Sequence, residues 1–267
     1  MSKHVDHYGA QYGNFITALY QDIRKETYGE DIGQNGWLTA EEQDMFISWL
    51  NLDTHQTLLD IACGSGGPTL RIAEKTGCSV IGIDIHEEGI KAANEQTKSK
   101  GLTERAEFRL SDGSASLPFA DHSMDAIMCI DAINHLPNRG KVLKEWNRVL
   151  KPKGKLLFTD PITVTGMLTK EDIEIRASIG YFLFVADGVD ERLLKEAGFE
   201  VMKKADRTEN MAQVAGRWKA ARDKRSHDVI KAEGPEAFEG QQTFFSVCAA
   251  LGEGKHLSRF AFLARKR

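Results

Sequence analysis

"LLDIACGSGGPTLRIA", Leu58 to Ala73, runs from apolar residues through Asp60 into a glycine-rich turn and out into a stretch of helical periodicity. A strand that enters glycines and leaves as a helix lets the backbone pass close to a ligand and aims the helix's first N–H groups at it. That is a nucleotide-binding device, and the residues around it must say which nucleotide it serves.

Outward from this stretch, short strand-like runs alternate with helical ones. TLLDIAC (57–63), SVIGIDI (79–85), AEFRL (106–110), DAIMCI (125–130) and KLLFTD (155–160) read as strands. Between them GPTLRIAEKTG, EEGIKAANEQTKSKG and RGKVLKEWNRVLKPKG read as helices, the last with Val142, Leu143, Trp146, Val149 and Leu150 on one stripe. Such alternation is the signature of a parallel sheet with crossover helices. Upstream, Tyr8, Tyr12, Ile16, Leu19 and Ile23 recur at spacings near four and predict an amphipathic helix, and Thr39 with Glu42 predicts a capping box before a second one. Downstream, DERLLKEAGFEVMKKA reads as a helix and a strand, and SRFAFLARK (258–266) as a final strand. The expected organisation is an N-terminal helical lid over 1–50 and a domain over 51–267, with helical insertions around 161–187 and 207–256 at one rim of the sheet.

Composition narrows the class. The chain has 267 residues, 41% of them apolar and 28% charged, with no apolar run long enough to cross a bilayer and no signal-peptide core, so a cytoplasmic protein is expected. A net charge of −4 argues against a nucleic acid as main partner. Cys63, Cys78, Cys129 and Cys248 have no metal spacing and read as small core residues; no metal is expected. Oligomeric state has no signature in the chain.

Carboxylates mark the ends of consecutive strands: Asp60, Asp84, Asp112 and Asp131. Ligands of open α/β sheets bind outside the carboxyl ends of the strands, so these groups should converge on one crevice. Asp84 falls about 20 residues beyond the turn, where an acid can accept hydrogen bonds from both ribose hydroxyls. A dinucleotide's pyrophosphate prefers a third glycine and no carboxylate at the turn; here Thr69 takes the glycine's place and Asp60 stands beside the turn. A cationic ligand without phosphate, such as S-adenosylmethionine, tolerates that carboxylate better, which disfavours an NAD-dependent oxidoreductase.

On these residues the chain resembles a class I S-adenosylmethionine-dependent methyltransferase over roughly Thr57 to Asp160. LDIACGSGG matches the family's D/E-x-G-x-G-x-G, with Ala62 replacing the first glycine. SDGS resembles the segment whose aspartate reaches the adenine amino group, and RVLKPKGKLLFTD the helix-turn-strand that ends the core. The resemblance implies an α/β fold, a Rossmann-like three-layer sandwich with a seven-strand, mostly parallel sheet. It implies S-adenosylmethionine held by Asp60, Ala62, Gly64, Gly66, Asp84, Ile85, Asp112, Gly113 and Asp131. Gly64 and Gly66 would flank the methionyl part, Asp84 the ribose, and Asp112 with Gly113 the adenine. A His after the fourth strand, here His135, recurs in the small-molecule branch that includes phosphoethanolamine, sarcosine/dimethylglycine and sterol-type enzymes, and TYGEDIGQNGW is similar to the segment that closes over the cofactor in the first two. In phosphoethanolamine methyltransferases a tyrosine pairs with that histidine, and Tyr12 is the best match here; the tyrosine that follows TD there is Pro161 here.

Methyl transfer needs an aligned nucleophile and a route for its proton, and His is the side chain suited to a neutral-pH base. The expected catalytic residues are therefore His135 and Tyr12. Tyr28 and Trp37 could cage a methylated ammonium, and Arg217 or Arg222 could meet an acidic group on the acceptor. The expected acceptor is a small molecule, an amine nitrogen first and oxygen or carbon next. A regulatory protein that binds the cofactor without turnover is the further alternative.

Overall fold

The computed structural model describes residues 14–267. In chain order the elements are α1 (Ala18–Tyr28), α2 (Ala40–Leu50), β1 (Thr57–Ile61), α3 (Gly67–Thr76), β2 (Ser79–Asp84), α4 (Glu87–Ser99), β3 (Ala106–Leu110), β4 (Met124–Cys129), α5 (Arg139–Val149) and β5 (Leu150–Val164). Then follow α6 (Lys170–Arg176), β6 (Val185–Ala186), α7 (Val189–Glu196), β7 (Phe199–Asp206), α8 (Thr208–Asp223), α9 (Ser226–Glu233), α10 (Pro235–Glu253) and β8 (Leu257–Lys266). The strands join in the order β3-β2-β1-β4-β5-β8-β7. The first five are parallel; β8 runs antiparallel to both β5 and β7. The two-residue β6 pairs with the end of β5 and adds an eighth strand to the expected seven.

Alternation along the strands builds the layers. Leu59 and Ile127 face one side with Trp146 of α5 and Leu194 of α7, while their neighbours Leu58 and Ala126 face the other with Leu70 of α3 and Ala93 of α4. The central strands are apolar on both faces because helices cover both. A third apolar cluster, with Trp218, Phe244 and Phe245 of α8 and α10 and Ile23 of α1, forms a helical layer of its own. No helix among the described residues is long and apolar enough to cross a membrane. All four cysteines are free and buried.

Several local expectations are corrected. Tyr8 and Tyr12 lie outside the described residues; of the rest of that stripe, Ile16 is exposed ahead of α1, whereas Leu19 and Ile23 lie in the helix and its packing. Thr39 does cap α2, accepting the Glu42 N–H at 3.3 Å, but the Glu42 carboxylate turns away to Arg259 and Arg207 instead of closing the box. The helix before KPKG stops at Val149, and Leu150 already begins β5, since a residue near Pro152 is pushed toward extended backbone. Pro161 falls inside β5, where the pairing with β8 shifts register between Asp160 and Thr163.

Candidate active site

The turn after β1 is built from left-handed backbone. Ala62, Gly64 and Gly66 have φ of 61°, 55° and 78°, and Pro68 then starts α3 in the first turn, where its missing N–H costs no helical bond. Gly66 serves the turn rather than the cavity: a Cβ there would stand 2.8 Å from the Phe108 ring and from Ala93, so β3 and α4 require its absence.

The acids of the strand ends have different occupations. Asp84, 5% exposed, accepts the Gly64 N–H at 2.8 Å through one oxygen and the His86 N–H at 2.9 Å through the other, which fastens the turn to β2. Ile85 beside it is 64% exposed, an apolar plate at the cavity mouth. Asp112 accepts the Ser114 N–H and hydroxyl at 2.8 and 2.7 Å, and the Gly113 carbonyl faces Trp146 Nε1 at 3.4 Å. Asp60 is buried and takes the Thr69 hydroxyl; burial pushes its carboxyl up to about 7, with the Asp84 charge adding to that. Thr69, read as a missing glycine, is thus the partner of the acid beneath the turn.

Asp131 borders the cavity with the other strand-end acids, and its oxygens are engaged there by the chain itself. Its oxygens accept from Arg259 Nε at 2.7 Å, the Thr159 hydroxyl at 2.7 Å and the Trp37 N–H at 2.9 Å. It borders the cavity as a clamp on the segment Gly33–Leu38, and a Cβ on Gly36 would come within 2.9 Å of it. Asn210 holds the same segment through the Trp37 carbonyl, at 2.8 Å.

These groups line one cavity of about 590 Å³. One half is formed by the ends of β1, β2 and β3, with Asp60, Ala62, Gly64, Asp84, Ile85, Asp112 and Gly113. Three carboxyl groups, glycine-turn amides and an exposed isoleucine form a donor and acceptor set that fits an adenosine with a cationic amino-acid tail, so S-adenosylmethionine fits here. The other half is aromatic and is built by His135, Ile179, Phe182, Phe244 and Arg176, with Trp37 above.

His135, in a 3-10 turn after β4, is half-buried; its Nδ1 lies 2.8 Å from the Tyr181 carbonyl and its ring meets Phe182 edge to face at 4.5 Å. A carbonyl only accepts, so Nδ1 carries the proton and Nε2 is the proton-accepting nitrogen. Burial pushes its pKa down to about 4, and the Arg176 charge works in the same direction.

The proposed ammonium cage does not form around an open space. Tyr28 is buried with its hydroxyl on the Gly36 carbonyl and under Trp218 Nε1, and the face of Trp37 meets the chain's own cation, Arg176. Arg222 is buried against Glu233, and Arg217 is exposed beside Gln213, so neither reaches the cavity. Arg176 was missed; the Thr169/Asp172 capping box that starts its helix was the available signal.

A family profile described as a methyltransferase domain matches residues 59–158. The chain is 30% identical over 193 residues to 27-O-demethylrifamycin SV methyltransferase of Amycolatopsis mediterranei, covering 68% of this chain and 71% of that one. It is 33% identical over 175 residues to phosphoethanolamine N-methyltransferase 1 of Zea mays, covering 66% of this chain and 34% of the maize protein. The fold superposes on the cyclopropane synthase MmaA2 of Mycobacterium tuberculosis with a TM-score of 0.83 at 17% identity, over 100% and 99% of the two chains. The chain therefore belongs to the S-adenosylmethionine-dependent methyltransferases, and it is an enzyme that uses that cofactor on a small molecule.

Proposed function

We propose that the chain methylates a heteroatom of a small molecule, an amine nitrogen first, with His135 as the proton acceptor. S-adenosylmethionine supplies an electrophilic methyl group on a sulfonium. Asp84, Asp112, Ile85 and the glycine turn hold it at the strand ends, while the aromatic half orients the acceptor so that its lone pair lies in line with the methyl. As the S–C bond breaks and the N–C bond forms, the acceptor's proton passes to His135 Nε2. The observation that carries this reading is the Nδ1–H bond of His135 to Tyr181, which fixes the tautomer a base needs. With its pKa lowered to about 4, the imidazole is neutral throughout the neutral range. The net charge of −4 supports a small molecule over a nucleic acid.

Oxygen is the second reading, favoured by Arg176 standing over Trp37, because a fixed cation there repels an ammonium. Screening amine and hydroxyl acceptors with labelled methyl donor tests both. His135→Gln is expected to lower kcat by about 10²–10⁴-fold with cofactor affinity unchanged. For a hydroxyl acceptor, the acid limb of kcat/KM should fall near pH 4 rather than near 6.5, since only below the lowered pKa does the base become protonated. A variant rate within a few-fold of the parent removes His135 from the chemistry.

A further inference from the structure

Arg176 closes α6 with 2% of its surface exposed, and its guanidinium carbon lies 5.0 Å from the ring centre of Phe244, 5.1 Å from Phe182 and 5.8 Å from Trp37. Among the described residues this guanidinium makes no hydrogen bond and no ion pair. The contrast with the other buried arginines is direct. Arg24, Arg71, Arg139, Arg222 and Arg259 each pair with an acid. A buried cation without a counter-charge is costly, and aromatic faces offset only part of that cost. Yet Arg176 borders the cavity, where a ligand can supply the missing charge.

We propose that Arg176 is the anion-recognising residue of the acceptor pocket: the methyl acceptor carries one oxyanion, a carboxylate or a phosphate, on an apolar body. This rests on the reading of the aromatic half as the acceptor site. Phe182 touches both His135 and Arg176, so the reacting heteroatom and the anion belong on either side of its ring, within the span of a small molecule. Ile179 and Phe244 receive the apolar body.

The test is calorimetric titration of the protein saturated with S-adenosylhomocysteine, using the near-isosteres phenylacetate, 2-phenylethanol and 2-phenylethylamine, with phenyl phosphate as the other anion. Phenylacetate or phenyl phosphate should bind at least about tenfold more tightly than the alcohol, the measure of one charge-assisted contact. The amine should bind most weakly. The two anions separate carboxylate from phosphate recognition. Arg176→Met should erase the preference for the anion with S-adenosylhomocysteine affinity unchanged. Equal binding of anion and alcohol by the parent protein, or a preference that survives in Arg176→Met, overturns the proposal. If that variant does not fold, the comparison of isosteres on the parent protein decides alone. Failure of S-adenosylhomocysteine to bind counts against the site's cofactor reading instead, and the same titrations on the free protein still decide the role of Arg176.

Discussion

Ala62 holds the first position of the glycine turn at φ 61°, a left-handed conformation that crowds its Cβ against the backbone. For an L-residue that costs about 1–2 kcal/mol, and a glycine removes the cost while giving the unfolded chain about 0.4–1 kcal/mol of extra freedom. Ala62→Gly should therefore raise stability in urea denaturation by about 0.5–1 kcal/mol. A loss would mean that the methyl group contributes packing that outweighs the strain. The same position shows what could be read residue by residue. Glycine where the family's pattern has it, and alanine as a small replacement, were visible in the sequence, but the division of labour within the turn was not. Gly66 is set by Phe108 and Ala93, which only the packing of β3 and α4 brings near.

Among elements, the decisive tie is between α2 and β8. Arg259 Nη1 meets the Glu42 carboxylate at 2.7 and 2.9 Å while its Nε meets Asp131 at 2.7 Å, all three side chains being buried, and Arg207 adds a further bond to Glu42 at 2.7 Å. Removing the shared cation strands two buried carboxylates, so Arg259→Met should cost about 3–5 kcal/mol of stability. It should also weaken cofactor binding, because Asp131 fastens Trp37 over the cavity. A loss below about 1 kcal/mol in denaturation would show that the three groups are not coupled as drawn. None of this pairing was legible locally, since Glu42 and Arg259 are 217 residues apart. The Thr39 cap was legible, because capping depends on neighbours three residues away.

For the whole molecule, alternation of apolar strands with helices was sufficient to lay out the sheet, since each central strand is covered on both faces and carries that fact in its own residues. The half of the cavity at the strand ends was equally legible, being made by consecutive turns. The aromatic half was legible only at His135 and Trp37: Arg176 and Phe244 come from distant segments, and the juxtaposition of the four depends on how the helical layer of α8 and α10 docks over the sheet. The central claim, a cationic adenosyl ligand above Asp60, is tested most directly by calorimetric titration with S-adenosylmethionine at pH 6.5 in two buffers of different ionisation enthalpy, beside NAD. With its carboxyl raised to about 7, Asp60 is mostly protonated at that pH, and a cation bound in the cavity it lines favours the carboxylate. The expected result is S-adenosylmethionine binding with net proton release, absent for Asp60→Asn, and no binding of NAD. Binding of NAD without S-adenosylmethionine would contradict it.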